Sequence, residues 1–200
     1  MNINTAGTAA TIIKDEVVYK RYITVWQRTT RFEDGREIQW DVVGHDSPLP
    51  TFVTVFTFDT NTKTTCILKE YVQGSNEVKY TCTAGSFDRR KHQSLEEAAQ
   101  HELSEEAQLT GGHLISLCPS SQPEGISELK WGKNRFVPYI CINPTLDANP
   151  KPRDAEEYME VVRDVSIDDF TKMVMRGEVM LPSVQTGWMA IEWLKENKYI

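Results

Sequence analysis

The sequence predicts a fold of mixed α and β structure, rich in strands through its middle, with one central helix and two more near the C-terminus. Runs of β-branched and aromatic residues, separated by turn signals, fill most of residues 17–83. Ser94-Leu95-Glu96-Glu97 opens a long helical pattern, and Ser166 and Ser183 precede two others. A chain of 200 residues is long enough for one sizeable core. We therefore expect a flexible N-terminus over residues 1–16 and a single domain over residues 17–200.

The N-terminal part of this domain is predicted to be an antiparallel hairpin within residues 17–45. Residues 17–25 and 37–43 are strand-like, and Glu33-Asp34-Gly35 supplies a turn between them. Few helices are available to cover this hairpin, so its edges favour pairing with another chain. We expect it to be the dimerisation element of a homodimer.

Further strands follow from β-rich runs along the rest of the chain. They are predicted over residues 51–58, 65–71, 78–83, 113–118, 136–142 and 158–165. A polar turn at residues 59–63 joins the first two, and the proline-rich residues 143–153 are predicted to be a surface loop.

Three helices are predicted from capping signals and helical spacing. The first covers about residues 94–108, and Gly111-Gly112 terminates it. The second covers residues 166–176, with Asp169 at the capping-box position. Ser183 is predicted to cap the last helix, where apolar residues recur at helical spacing.

The charge balance excludes some partners. Acidic residues outnumber basic ones by 29 to 22, which gives a net charge of −7. A surface of this kind repels nucleic acid and anionic membranes, so we expect neither as a partner. A substrate that carries phosphate would need local neutralisation, for which a bound cation is the obvious candidate.

The cysteines and the N-terminus indicate where the protein works. Cys66, Cys82, Cys118 and Cys141 form no C-x-x-C pair, which favours reduced thiols in an intracellular protein. No apolar run approaches the ~20 residues needed to span a membrane. Residues 1–10 are small and polar and do not resemble a secretory signal. We expect a cytoplasmic protein.

The central helix carries a group of acids beside its apolar face. On a helical wheel of ~100° per residue, Glu102 and Glu106 fall together next to the apolar stripe, with Glu105 on the near flank. The stripe consists of Leu95, Ala99, Leu103 and Ala107. Crowded carboxylates near a core lose water and repel one another, and a divalent cation such as Mg²⁺ or Mn²⁺ relieves both effects. The alternative is an ordinary solvated acidic face.

This helix and the turn before it resemble the Nudix box, the motif of the Nudix hydrolases. The family pattern is Gly, five residues, Glu, seven residues, then Arg-Glu-aliphatic-x-Glu-Glu-x-Gly-aliphatic, usually preceded by Pro-Ala. The matching residues are Ala84, Gly85, Ala98, Ala99, Glu102, Leu103, Glu105, Glu106 and Leu109. The sequence departs from the pattern at Thr83 for Pro, Gln93 for the upstream Glu, His101 for Arg and Gln108 for Gly. The loop after Gly85 is also about two residues longer than the pattern.

Segments outside the box resemble the ADP-ribose and nucleotide-sugar branch of the same family. These segments are Trp40-Asp41-Val42-Val43, Leu68-Lys69-Glu70-Tyr71-Val72, Ala84-Gly85 followed by Asp88, residues 121–128, residues 156–161 and residues 173–178. Residues 121–128 are similar to a Ser-Pro-Gly-x-x-x-Glu loop in which Glu128 matches the glutamate. In the second segment, Glu70 stands where the branch has Gln, and Val72 where it has Arg.

The resemblance implies an α/β/α sandwich with a mixed sheet that hydrolyses a P–O–P bond. The expected substrate is a small molecule, a nucleoside diphosphate linked to another group, most closely ADP-ribose or a nucleotide sugar. The implied ligands of Mg²⁺ or Mn²⁺ are the carbonyl of Ala84 and the carboxylates of Glu102, Glu105 and Glu106. Glu128 is the implied general base or outer metal ligand, and Glu105 is expected to assist in catalysis.

Several alternatives stay open at this point. Trp40 is a candidate for stacking on the base, although packing on its own strand is the simpler role. Arg89 and Arg90 are candidates for phosphate contacts, or they belong to a solvated basic loop. The altered residues of the box also favour a different class of protein, a catalytically impaired module that binds a nucleotide as a sensor.

Overall fold

The computed structural model describes residues 10–153 and 157–200. Part of the predicted flexible N-terminus (residues 1–9) and Glu156 of one resembling segment lie outside these ranges. The described chain divides into two compact units. The first comprises the residues up to Pro48 together with Ser127–Asn134, and the second comprises Leu49–Ile126 and Arg135–Ile200.

The first unit is built on a three-stranded antiparallel sheet in the order β1-β2-β3. Its strands are β1 (Ala10–Lys20), β2 (Thr24–Phe32) and β3 (Glu37–Gly44). The turn predicted at residues 33–35 is confirmed between β2 and β3. The predicted two-stranded hairpin is corrected, because β1 begins at Ala10, inside the predicted flexible terminus, and residues 17–25 contain a turn.

Strand β2 was not predicted in full, because its second half is polar and its charged side chains pair across the sheet. Arg28 pairs with Asp15 of β1 at 2.9 Å, and Arg31 pairs with Glu37 of β3 at 2.6 Å. Residues 27–31 are all polar, so the apolar alternation by which a strand is recognised is missing there.

Residues 127–134 pair with the end of this sheet. The amide of Val43 donates to the carbonyl of Trp131 at 3.0 Å, and the amide of Lys133 donates to the carbonyl of Val43 at 2.8 Å. The ammonium of Lys133 lies 4.2 Å from the ring centroid of Trp26, a cation–π contact that fixes the segment further.

The second unit contains the remaining strands and all three helices that the described residues form. They are β4 (Phe52–Phe58), β5 (Thr64–Val72), β6 (Glu77–Thr81), β7 (Thr83–Ser86), α1 (Leu95–Glu105), β8 (Leu109–Thr110), β9 (His113–Ser116), β10 (Ile126–Ser127, which ends in the first unit), β11 (Arg135–Ile142), β12 (Thr145–Leu146), β13 (Met159–Ser166), α2 (Ile167–Met175) and α3 (Leu181–Glu196). Strand β11 is parallel to β4, whereas β7 is antiparallel to β4 and β9 antiparallel to β11. A second sheet has the antiparallel order β13-β5-β6. Each of the six strand regions predicted after the hairpin contains a strand.

Helices cover both faces of the β4–β11 pair, as the prediction of an α/β/α sandwich requires. Val53 and Val55 of β4 belong to one buried cluster with Leu103 of α1. Phe56 and Phe58, which alternate with them along the strand, belong to a second cluster. The helical members of that cluster are Phe170 of α2 and Ala190, Ile191 and Leu194 of α3. The mixed sheet between two helical layers is therefore confirmed within this unit.

Helices α2 and α3 begin differently. The hydroxyl of Ser166 accepts from the amide of Asp169 at 3.0 Å, so the predicted cap of α2 is confirmed. The predicted cap of α3 at Ser183 is wrong, because α3 begins after Met180 with Pro182 in its first turn. Ser183 is instead buried inside the helix, where its hydroxyl accepts from the amide of Cys82 at 2.9 Å.

The cysteines are free thiols in the structure. Cys66, Cys82 and Cys141 are buried and Cys118 is partly exposed. Burial raises the pKa of the Cys82 thiol to about 12, which keeps it protonated and unreactive. Among the described residues, no helix is both long and apolar enough to cross a membrane.

Candidate active site

The N-terminus of α1 is fixed by reciprocal hydrogen bonds. The hydroxyl of Ser94 accepts from the amide of Glu97 at 3.1 Å, and the carboxylate of Glu97 accepts from the amide of Gln93 at 2.6 Å. The predicted capping box is thereby confirmed, with Gln93 as the second donor. The helix then buries its apolar stripe, since Ala99, Leu103 and Ala107 have no exposed surface.

The C-terminus of α1 is held by two arginines from later in the chain. The guanidinium of Arg153 donates to the carbonyl of Glu106 at 2.7 Å and to that of Met159 at 3.0 Å. Arg163 donates to the carbonyl of Ala107 at 3.0 Å. Cations at this end of a helix satisfy its last carbonyls and complement its dipole.

The end of the helix also corrects two expectations. The helix stops at Glu105, before the predicted Gly111-Gly112, because Gln108 takes a left-handed conformation with φ of 55°. The helical wheel directs Ser104 away from the apolar stripe and towards water, yet Ser104 is buried. Its hydroxyl bonds to Asp147 at 2.6 Å and accepts from the amide of Lys151 at 3.1 Å. The loop predicted at residues 143–153 thus crosses this face of the helix.

Glu106 is the buried acid of the site. Its residue is 4% exposed, and one carboxylate oxygen accepts from the amide of Ala84 at 2.8 Å. Burial, and secondly the charge of Glu102, raise the pKa of Glu106 well above its usual value. A carboxylate kept in these surroundings favours either a proton or a cation.

Glu102 lies directly over the turn that follows Ala84. A side chain added at Gly85 would place its Cβ 1.9 Å from the Cδ of Glu102 and 2.0 Å from its Oε1. Only glycine leaves room for this carboxylate against the backbone of β7. The Ala-Gly pair of the motif therefore supports both helix acids, with Ala84 holding Glu106 and Gly85 admitting Glu102.

Glu105 is engaged with a neighbour on its own helix. Its carboxylate lies 3.3 Å from Nδ1 of His101, and its side chain is 13% exposed. Burial lowers the pKa of His101, so the imidazole is held towards its neutral form. His101 therefore occupies the position of the family's arginine without supplying a permanent charge.

The structure adds two acids that the sequence analysis had not selected. Burial raises the pKa of Glu70 on β5, and the charge of Glu157 raises it further. The charges of both residues also raise the pKa of Glu106. Glu70 had a signal in the sequence, a carboxylate in a strand that begins with buried residues. Glu157 lies in the resembling segment of residues 156–161, but only the fold brings it near Glu106.

Two predicted site residues, Trp40 and Glu128, lie in the first unit. The indole of Trp40 on β3 donates to the hydroxyl of Thr30 at 2.9 Å, a contact within its own sheet. The amide of Glu128 donates to the carbonyl of Asn134 at 3.2 Å, and its side chain is partly exposed. Gly125, which precedes it, is buried with φ of 86°, and an added Cβ would lie 2.7 Å from the carbonyl oxygen of Phe136. Packing therefore accounts for this glycine.

The two predicted arginines follow β7 in an exposed loop. Arg90 pairs with Asp88 at 2.8 Å, and this contact lowers the pKa of Asp88 to about 2. Arg89 points elsewhere, donating to the carbonyl of Leu49 at 3.5 Å. Their predicted contacts with substrate remain predictions.

The donor set suits a hard divalent cation. Carboxylates and a backbone turn supply the oxygen ligands that Mg²⁺ and Mn²⁺ prefer. Burial is the main cause of the raised pKa of Glu106, and the charges of Glu102, Glu157 and Glu70 raise it further. Within residues 10–153 and 157–200, no three acidic, histidine or cysteine side chains are already grouped as metal ligands. Loading a cation would thus require these carboxylates to draw together.

Comparison with solved structures supports the mixed α and β fold described above. The chain matches a solved structure described as an ADP compounds hydrolase, with a TM-score of 0.67 over 96% of this chain and 97% of that one. The two sequences are 17% identical, so the likeness shows the fold alone. No family model and no curated protein matches the sequence.

Proposed function

We propose that this protein is a divalent-metal-dependent hydrolase of the Nudix type, acting on a nucleoside diphosphate linked to another group. The observation that carries the proposal is the placement of Glu106 and Glu102 against the Ala84-Gly85 turn. That placement gives a structural reason for the spacing between the Ala-Gly turn and the helix acids. An ordinary solvated acidic face would have no reason for this spacing. The shared fold with an ADP compounds hydrolase supports the same class of reaction.

Glu102 and Glu106 are the residues that would hold the cation, with the carbonyl of Ala84 and the carboxylate of Glu105 as further ligands. A bound Mg²⁺ or Mn²⁺ supplies neutralisation of phosphate charge and acidification of a water molecule. The buried carboxylate of Glu106 fits a permanent ligand, because a cation removes the electrostatic penalty of its burial.

Glu128 is the proposed general base, on the strength of the sequence resemblance. It would take a proton from water as the water oxygen attacks phosphorus. The bridging P–O bond then breaks, and its electron pair leaves with the departing phosphate. The products are two phosphomonoesters, one of which is a nucleoside monophosphate.

The proposed substrates are ADP-ribose and nucleotide sugars. The resemblance of the segments around Trp40, Asp88 and Glu128 supports this choice, as does the printed description of the structural neighbour. Val72, in place of an arginine of the branch, removes one contact to phosphate or sugar and weakens the expected affinity.

Paired variants distinguish an enzyme from a nucleotide sensor. Glu106→Gln should lose metal affinity and turnover together, whereas Glu128→Gln should bind metal and nucleotide but turn over ~10²–10⁴ times more slowly. Glu196→Gln, the same change at an exposed position on α3, is the control and should retain both properties. Turnover and calorimetric binding are measured for all three and for the wild type. If the wild type turns over no faster than Glu106→Gln but still binds nucleotide, the enzyme is rejected and the nucleotide sensor is favoured.

A further inference from the structure

A cavity of about 530 Å³ lies beside the N-terminus of α1. Its apolar walls include Leu49, Pro50, Phe87 and Leu95, and its polar wall includes Arg89 and His92. Leu95 is seven residues before Glu102 on the helix, about 10 Å at a rise of about 1.5 Å per residue. Glu102 therefore lies about two helical turns from the cavity wall at Leu95, although His92 of the cavity neighbours His101, with ring centroids 5.3 Å apart. Apart from the predicted phosphate contact of Arg89, the proposed function gives this cavity no role.

The charge in this cavity is positive and not neutralised. Within the described residues, the guanidinium of Arg89 makes one long hydrogen bond, to the Leu49 carbonyl at 3.5 Å, and no ion pair. Arg90, the next residue, is neutralised by Asp88 at 2.8 Å. None of the residues that line the cavity is an acid. Arg89 therefore places a positive charge without an ion pair at the wall of an apolar cavity, in a chain of net charge −7.

His92 is a second, independent observation. It is 6% exposed, and neither of its ring nitrogens has a hydrogen-bond partner within the described residues. Its ring lies nearly parallel to that of Phe87, at 15° with centroids 6.4 Å apart. Burying polar atoms without partners is unfavourable, so this position calls for a group that bonds to the imidazole. The neighbouring ring of His101, with centroids 5.3 Å apart, makes no hydrogen bond to it, and because His92 lines the cavity, an occupant of the cavity can supply one.

We propose that this cavity binds a phosphomonoester carried on a planar apolar body, the chemistry of a nucleoside monophosphate. Arg89 and His92 bind the phosphate, and Phe87, Pro50 and Leu95 contact the planar group. A cavity of this volume falls in the range of small-molecule sites. The ligand occupies a second site on the molecule, and its binding needs neither the divalent metal nor Glu106.

The test is calorimetric titration of adenosine monophosphate, adenosine and inorganic phosphate into the full chain in EDTA. Wild type and Glu106→Gln should bind the monophosphate equally, and more tightly than either phosphate or the nucleoside alone. Arg89→Gln should raise its Kd by about tenfold or more. Lys91→Gln removes the same charge from the same loop outside the cavity lining and should change Kd less than about twofold. His92→Phe keeps the ring against Phe87 and should also weaken binding.

Three outcomes would contradict the proposal of a second site. They are no saturable binding in EDTA, equal weakening by Arg89→Gln and Lys91→Gln, and loss of binding in Glu106→Gln. The last would place the ligand at the proposed metal site and leave the proposed hydrolase standing. Conversely, binding that depends on Arg89 in a protein without turnover would retain this site and reject the hydrolase.

Discussion

At the scale of single residues, Glu106 is the position where the proposed chemistry and stability meet. The pKa of Glu106 is higher in the folded protein than its unfolded value of about 4.5. The contribution of Glu106 to the free energy of unfolding is therefore fully present below pH 4.5 and is lost as the pH rises towards the folded pKa. In EDTA, Glu106→Gln should therefore melt above the wild type at neutral pH, and the difference should shrink in acid. Added Mg²⁺ should raise the Tm of the wild type alone. A metal-free wild type that melts above Glu106→Gln at neutral pH would contradict this account.

A substitution at Gly85 should change metal binding without changing folding. In Gly85→Ala the new Cβ meets the end of the Glu102 side chain, which is flexible and can move aside. We expect little change in the free energy of unfolding but at least about tenfold weaker Mg²⁺ binding, because Glu102 loses its place over the turn. Calorimetry and urea unfolding on the same samples measure both. Ser86→Ala, the next residue of β7 and exposed, is the control. Unchanged Mg²⁺ affinity in Gly85→Ala would remove Glu102 from the site.

Gln108 shows how a departure from the motif has a structural cost. It is exposed and takes φ of 55°, a conformation that is unfavourable for residues other than glycine by roughly 1–2 kcal/mol. Glycine at this position, as in the family pattern, should stabilise the protein by up to about 1 kcal/mol after its greater unfolded-state entropy is subtracted. Chemical denaturation of Gln108→Gly tests this, with Gln108→Ala expected to gain nothing. Destabilisation by the glycine would show that the backbone angle is not the dominant factor.

At the scale of elements, the placement of α1 depends on Arg153. Its guanidinium bonds to the carbonyls of Glu106 and Met159, so it joins the end of the helix to β13. Arg153→Ala should lower the free energy of unfolding by about 1–3 kcal/mol, since it leaves carbonyls without partners. Arg176→Ala, at the exposed end of α2, should change it by less than about 0.5 kcal/mol. Equal effects in urea unfolding would show that Arg153 does not anchor α1.

Elements were predictable where the signal is local. The capping box of α1, the Ser166 cap of α2 and the strand positions in the second unit all follow from neighbouring residues. Strand β2 was missed because residues 27–31 are all polar and lack the apolar alternation by which a strand is recognised. The start of α3 was wrong because two signals competed and Pro182 prevailed over Ser183. The proximity of Glu70 on β5 and Glu157 to Glu106 depends on the assembled fold, so no local signal could predict that these acids act on one another.

At the scale of the whole molecule, the predicted homodimer can be tested through β1. This strand is at the edge of its sheet and exposes Ile12, Val17 and Val18, each by more than half. We expect a dimer by sedimentation velocity at micromolar concentration, and Val18→Lys should shift it towards monomer. Met175→Lys introduces the same charge at an exposed site on α2 and should not. A wild-type monomer under these conditions would contradict the prediction.

The central claim concerns hydrolysis, and the most direct measurement is the initial rate with a panel of substrates in Mg²⁺. The panel contains ADP-ribose, nucleotide sugars, a dinucleotide, a coenzyme and nucleoside triphosphates. We predict that kcat/KM for ADP-ribose or a nucleotide sugar exceeds that for any triphosphate by about tenfold or more, and that EDTA abolishes the activity. A panel led by a triphosphate or a coenzyme would contradict the proposed substrate class. No turnover of any member above that of Glu106→Gln would contradict the hydrolase itself.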